Sequence, residues 1–401
     1  MNLQIFFLLE KMKIRALSLK INMVSGGGSN FDLDTKLRYL ESRGHEVFLI
    51  TIFSSDNKFI SEVPYQIMGK ESPKKFFGMQ KYICDVLKKY ENDTDVYYLH
   101  GPVFLWAGGR YRKEGGCVPV VVFANNYTPG MNLSRVGRGV KNWIWAKKHL
   151  IWEKIFGLNY AKYVDKIIAD SPIVKNIYST YGISDKKIEV MPNFIDLEEL
   201  KESKKAIKKH DSASKNNYLS ILYVGRLVYD KGVDIVIRAI NLIDKELKEN
   251  SKIFFHIVGD GPEKENLKSQ ILNLKLENKV FVHGWKSRVE IIDFFKNTDV
   301  FINPAIWPEP FGRTVVEAMY FNKPIITSAG NGSSWVMGEN GLSFKNKDAR
   351  DLKEKILKFY NNRGLLDSYG RGSQKRAEQF DYRKSAEKFE KLLLELGRKG
   401  Q

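Results

Sequence analysis

The stretch Asn303–Thr327, NPAIWPEPFGRTVVEAMYFNKPIIT, begins where one apolar run, VFIN (Val300–Asn303), ends, and it closes on another, PIIT (Pro324–Thr327). Short β-branched runs flanking a segment with helical spacing read as the strand–helix–strand unit of a parallel sheet. Pro304–Pro310 reads as a loop and Phe311–Met319 as the start of a helix. Two carboxylates stand in this unit, Glu309 in the loop and Glu317 about one turn into the helix, with seven residues between them. Taken singly each is ordinary, because a first-turn acid complements the helix dipole and a loop acid is solvated.

Outward from this unit the same alternation recurs. One series of candidate strands is Arg15–Ile21, Val47–Thr51, Val96–Leu99, Val118–Phe123, Lys166–Ala169 and Lys187–Val190. A second is Ser220–Val224, Lys252–Val258, Lys279–His283, Val300–Asn303 and Pro324–Thr327. Helical patterns lie between most of them, at Phe31–Arg43, Lys75–Tyr90, Val233–Glu249 and Glu263–Leu274. This predicts an α/β protein of two Rossmann-like domains with parallel sheets facing across a cleft. The expected divisions are an extension over 1–11 ahead of the strand-like MKIRALSLKI, a first domain over 12–197 and a polar, lysine-rich linker over 198–219. A second domain over 220–379 and an amphipathic C-terminal helix over 380–401 complete the chain.

Composition sets the outer limits. The 401 residues suit two domains, 43% hydrophobic content suits real cores, and a net charge of +18 calls for an anionic partner. No nucleic-acid-binding module is present in the pattern, so phosphorylated small molecules or an anionic membrane surface are the expected anions. Two cysteines make no disulfide framework, and no apolar run approaches the roughly 18–20 residues that span a bilayer. A cytoplasmic protein, peripheral at most to a membrane face, is the expectation.

Ligands of such sheets bind outside the carboxyl ends of the strands, so the residues just after strands carry the chemistry. After the first strand, Gly26, Gly27 and Gly28 lead into a helix, where backbone can approach an anion closely or simply turn tightly. After Val224 comes GRLVYDKG, in which Gly225 and Gly232 allow turns and Arg226 and Lys231 read as a diphosphate clamp or as two solvated cations. After Val258, GDGPE holds Gly259 at a turn that structure alone explains. In the opening stretch, the free N–H groups at the start of the helix form a cradle for phosphate. Glu317 can accept from a vicinal diol such as ribose, and Glu309 can reach sugar hydroxyls.

Together the glycine-rich first loop, the G-R-x4-K-G segment and the E-x7-E pair resemble the retaining GT-B glycosyltransferases, in particular the large family 4. GGGSNFDLDTKLRYLESRGHEV (Gly26–Val47), IIADSPIVKN, IEVMPNFID, HIVGDGPE and NKPIITS fall in that family's order over nearly the whole chain. The resemblance implies transfer of a sugar, with retention, from a nucleotide-sugar (a UDP-, GDP- or ADP-sugar) to a glycan or lipid-linked acceptor in cell-envelope polysaccharide or glycoconjugate synthesis. It implies no metal and no further cofactor. Carried over, Gly26 and Gly27 approach the diphosphate or the acceptor, Arg226 and Lys231 hold the diphosphate, and Gly225 and Gly259 border it. Glu309 contacts the transferred sugar, Glu317 the ribose, and the amides of Phe311, Gly312, Arg313 and Thr314 cap the distal phosphate. The final helix is implied to cross back onto the first domain.

Three departures stand out. Asn125 falls where many members carry a histidine, so either Asn125 or His100 serves the acceptor hydroxyl, or the chain is a non-catalytic GT-B homologue acting as a binding or scaffold partner. Phe194 replaces the glycine of a P-N-G segment, and AGNGSSW (Ala329–Trp335) lacks the usual glutamate. Metal-dependent transfer would need D-x-D after a strand, and neither Asp32-x-Asp34 nor Asp93-x-Asp95 is so placed; a cofactor-binding phosphorylase lysine signature is missing too. One further segment, Arg135–Tyr163, carries an apolar helical stripe of Val140, Trp143, Ile144, Ile151 and Ile155 and a second of Trp145, Trp152 and Phe156. Packing of one stripe into the core is the favoured expectation, against an interfacial helix with tryptophan and lysine anchors.

Overall fold

The computed structural model describes residues 11–23, 27–54, 57–58, 62–125, 140–206, 218–247 and 251–398, less the side chains of residues 142, 146, 149, 153, 156 and 203–206. The chain divides into two compact units. One comprises the described residues of Met1–Met131, Lys147–Ile195 and Tyr382–Gln401, the other those of Asn132–Ala146 and Asp196–Asp381.

The first unit holds β1 (Lys13–Ser18), β2 (Glu46–Thr51), β3 (Gln66–Gly69), β4 (Val96–His100), β5 (Val120–Ala124), β6 (Lys166–Ala169) and β7 (Ile188–Val190). They pair in the order β3-β2-β1-β4-β5-β6-β7, all parallel. Parallel strands covered on both faces need apolar residues at every position, and VVVFA in β5 is buried throughout. The second unit holds β8 (Leu219–Val224), β9 (Ile253–Val258), β10 (Val280–Gly284), β11 (Val300–Asn303), β12 (Ile325–Ser328) and β13 (Gly341–Phe344). Their order is β10-β9-β8-β11-β12-β13, again all parallel.

In each sheet the order reverses once, between β1 and β4 and between β8 and β11. At such a point neighbouring connections leave toward opposite faces and open a crevice at the carboxyl edge. The reversals therefore select four chain positions: the entry to helix Gly28–Ser42, His100 at the end of β4, the loop after Val224, and the loop after Asn303.

Two strands escape the sequence reading, β3 and β13. Both are edge strands, and QIMG, mostly exposed, and GLSF, only partly buried, are too short to show an apolar run. The expected linker is helical at its start, since helix Leu197–Ala206 buries Leu197 and Leu200; residues 207–217 lie outside the described ones.

The apolar helix is a correction. In helix Val140–Trp152 and the turn after it, the stripe expected to pack is turned outward: Trp143, Ile144, Ile151 and Ile155 are each more than half exposed. Trp145 and Trp152 of the second stripe are exposed as well, and the Phe156 side chain lies outside the described residues. Sequence periodicity finds an apolar face but cannot say what covers it. No helix among the described residues is long and apolar enough to cross a membrane.

Candidate functional site

In the second unit, Val224 feeds the loop Gly225–Gly232. The Arg226 side chain is exposed and makes no ion pair with a described residue. The loop is tied down beside it: Tyr223 Oη donates to Arg226 O at 2.9 Å, Leu227 N to Asp260 O at 2.9 Å, and Gly225 N to Val258 O at 3.0 Å. A Cβ at Gly259, whose φ is +142°, would lie 1.9 Å from Gly225 O, so close backbone approach accounts for glycine at 259. Lys231 closes a short 3-10 turn and forms an ion pair with Glu309, both side chains being largely buried. Lys231 Nζ also stands 5.3 Å from the Trp307 ring centroid.

The loop carrying Glu309 is pinned at both ends. Ile306 N donates to Asp230 O at 2.8 Å, and Gly332 N donates to Glu309 O at 2.6 Å. Beneath it Asn303 Nδ2 donates to Ser333 Oγ at 2.8 Å and Ser328 Oγ to Ala305 O at 2.6 Å, all four residues buried. Gly332 and Ser333, in the segment AGNGSSW that departs from the family pattern, thus supply part of this polar support.

Helix Arg313–Tyr320 begins at Gly312, whose φ is +92° and where a Cβ would lie 2.3 Å from Ser333 Oγ, so a larger residue is excluded. Phe311 is buried with its ring 5.6 Å from Phe380, so its amide rather than its ring is what the site can use. Thr314 follows Arg313 in the first turn and is half-buried. Glu317 is 7% exposed and clasped through Oε1 by Arg313 Nε at 3.3 Å and Arg288 Nη1 at 3.4 Å. Arg288 also reaches Glu199 at 2.8 Å. Burial lowers the pKa of the Arg288 guanidinium, but the Glu317 and Glu199 carboxylates outweigh it and the net direction is up. The E-x7-E pair therefore divides by partner, Glu309 with the lysine of the neighbouring strand loop and Glu317 with two arginines.

In the first unit, Gly26 lies outside the described residues. Gly27 caps helix Gly28–Ser42 with φ −74°, and a Cβ there would meet no described residue within 4 Å, so packing among the described residues does not demand glycine. Next to it Ser29, His100 and Asn125 come together from three segments. Asn125 Nδ2 donates to Ser29 Oγ at 2.5 Å, Ser29 Oγ lies 2.9 Å from His100 Nε2, and His100 Nδ1 lies 3.4 Å from Tyr98 Oη. Burial lowers the His100 pKa to about 4, against the Asp32 carboxylate and with the Lys36 ammonium, so the imidazole is neutral at physiological pH. Neutral imidazole accepts at one nitrogen and donates at the other. The chain Asn125 to Ser29 to His100 to Tyr98 can then run in one direction, with Ser29 Oγ–H donating to Nε2 and Nδ1–H donating to Tyr98. It can orient a hydroxyl and holds no group that titrates near neutral pH.

The aspartates of the two D-x-D patterns are committed elsewhere. Asp32 pairs with Lys36 at 2.6 Å and accepts from Phe194 N at 2.6 Å, while Asp34 binds Arg38 and Tyr65. Asp93 pairs with Lys13 and Arg15, and Asp95 Oδ2 accepts from Lys13 N at 2.7 Å. Among the described residues no group of three His, Cys, Asp or Glu is arranged to hold a metal ion. Sequence reading missed Ser29 and Arg288. Ser29 stood beside the glycine triplet and was findable there; Arg288 sits inside an ordinary capping box, Ser287 with Glu290, that hid it.

With this geometry in place, comparison with known proteins gives the class. Residues 204–376 match the model for glycosyl transferases group 1 and residues 26–199 that for glycosyltransferase family 4. The chain belongs to the GT-B glycosyltransferases of the family 4 type. It is 28% identical over 253 residues to an uncharacterized glycosyltransferase of Methanocaldococcus jannaschii, covering 62% of each. It is 25% identical over 309 residues to the alpha-monoglucosyldiacylglycerol synthase of Streptococcus pneumoniae, covering 72% of this chain and 64% of that protein. The chain thus spans less than two thirds of either relative's length. A crystal structure of Anabaena HepE in complex with UDP and glucose superimposes with TM-score 0.70 at 20% identity, over 95% of this chain and 99% of that one, which establishes the shared GT-B fold.

Proposed function

We propose that the protein transfers a sugar, with retention, from a nucleotide-sugar donor to a glycan or lipid-linked acceptor. The donor lies on the second unit, its diphosphate between Arg226, Lys231 and the amides of Phe311–Thr314, its ribose at Glu317 and its sugar at Glu309. One observation carries this reading: at the switch point of the second sheet, a cation pair, a carboxylate and a helix N-terminus all belong to the two adjoining strand loops. Fixed cations of that kind stabilise a diphosphate as it departs, without reorganising.

In the reaction, the bond from the sugar anomeric carbon to the diphosphate oxygen breaks and its electron pair leaves with the nucleoside diphosphate. The acceptor oxygen bonds the same carbon from the same face, and its proton passes to the departing phosphate. Because the phosphate is the base, a neutral Asn125–Ser29–His100 chain suffices to orient the acceptor. The countercharge comes from Arg226 and Lys231, so activity persists in EDTA. The names of the relatives support both halves of the reading, one joined to glucosyldiacylglycerol synthesis and one solved with UDP.

A thermal-shift screen with UDP, GDP, ADP and their sugars tests it. A ligand of the native state at about 100 times its Kd stabilises by about 2.7 kcal/mol, and one base should raise the melting temperature selectively. No shift with any of them, together with no sugar transfer or donor hydrolysis, would contradict the proposal.

A further inference from the structure

We propose that Arg288 makes the donor site select a ribonucleoside over a 2′-deoxyribonucleoside, by leaving Glu317 acceptor capacity that only a vicinal diol fills. The inference rests on the sugar-transfer reading, which puts the donor ribose at Glu317. A carboxylate offers about four lone-pair sites, shared between its two oxygens. Both guanidiniums that reach Glu317 take the same oxygen: Arg313 Nε lies 3.3 Å and Arg288 Nη1 3.4 Å from Oε1. No described residue hydrogen-bonds Oε2. With Oε1 filled, the two hydroxyls of a ribose match the capacity left on Oε2. A deoxyribose leaves part of that capacity without a donor on a carboxylate only 7% exposed, and a polar group stranded in that way is costly.

The two arginines differ in what they can fix. Arg313 stands four residues before Glu317 on helix Arg313–Tyr320, so that pair turns as the helix turns. Arg288 opens a different helix, Arg288–Asn297, where Ser287 and Glu290 form a reciprocal capping box and Ser287 N donates to Glu290 Oε2 at 2.9 Å. The box fixes the backbone from which the guanidinium projects. Arg288 Nε lies 2.8 Å from Glu199 Oε1, on helix Leu197–Ala206, so the guanidinium bridges two carboxylates through different nitrogens. A planar fork can span both partners, whereas the single nitrogen of a lysine cannot. Arg288 is therefore a positioning residue: it reaches the nucleoside only through Glu317, and Glu199 orients it. All of these residues belong to the second unit.

Calorimetric titration of the full chain tests it, with whichever of UDP, GDP and ADP binds most tightly and with its 2′-deoxy counterpart. The wild type should bind the ribonucleotide at least about tenfold more tightly, as one hydrogen bond to a charged group implies. Arg288→Met and Arg288→Lys should each bring that ratio below about threefold, because Glu317 is then free to turn. Glu199→Gln, at an exposed position, should lower the ratio in the same direction and decides the matter if the Arg288 variants do not fold. A purely structural ion pair would weaken both nucleotides alike and leave the ratio as it is. A wild-type ratio near one, or a ratio unchanged in the variants, would overturn this proposal while leaving sugar transfer standing. No binding of any nucleoside diphosphate to the wild type would overturn both.

Discussion

Gly27 separates two reasons for a glycine. At Gly259 and Gly312 the backbone and its neighbours forbid a side chain, whereas at Gly27 the dihedral is ordinary and no described residue would touch a Cβ. Gly27→Ala should therefore leave the melting temperature unchanged yet lower turnover by about tenfold or more, a cost near 1.4 kcal/mol in the barrier, because the methyl meets substrate alone. Unchanged turnover would mean nothing approaches there. Lys231→Ala should cut kcat by roughly 10²–10³-fold, as loss of one fixed charge-stabilising donor does elsewhere, and near-normal turnover would remove Lys231 from the diphosphate.

His100 gives a pH signature at the same scale. Its pKa is lowered to about 4 by burial, next to Asp32 and Lys36 on helix Gly28–Ser42, against an unfolded value near 6.5. The unfolded chain then binds the proton first, so stability is fully present above about pH 6.5 and is lost as pH falls toward 4. The effect amounts to about 3 kcal/mol at most for a shift of this size. Urea unfolding of wild type and His100→Gln across that window should converge as pH falls; parallel curves would show that His100 does not carry it.

At the scale of elements, Phe194 explains its own departure from the family glycine. It is fully buried, its ring 5.7 Å from Phe389 and 5.8 Å from Tyr382 at the start of the final helix, Arg383–Gly397. Tyr98 touches Phe389 as well, and Lys36 Nζ sits 3.4 Å from the Phe123 centroid beneath them. The residue fastens the C-terminal helix to the first sheet. Phe194→Ala should cost about 3–5 kcal/mol and expose Arg383–Gly397 to proteolysis first; a loss below 1 kcal/mol would show that the helix is held by other contacts. The same element scale shows what sequence can and cannot reveal. Central strands such as VVVFA were legible because burial on both faces forces every residue to be apolar. Edge strands β3 and β13 were not, since each is four residues long and, with one buried residue between them, neither is forced to be apolar throughout. The Trp-rich helix was legible as a helix but not by its exposure, which is set by what surrounds it.

For the whole molecule, the order of the two sheets does most to define the candidate site. Arg226, Lys231, Glu309 and Glu317 could be named from sequence because strand ends can be named, and the switch points then bring their loops side by side. Arg288 and Ser29 could not be ranked that way, because their roles depend on which distant carboxylate or imidazole they meet. The net charge of +18 suits the anionic donor proposed here, so high salt should weaken nucleotide binding.

Hydrogen–deuterium exchange with and without the nucleoside diphosphate found by the thermal screen is the most direct measurement. Protection concentrated in residues 225–232 and 309–317, and abolished by Lys231→Ala, is the expected result. A nucleotide that binds tightly while leaving both segments exchanging as in the free protein would contradict a diphosphate held at that sheet edge.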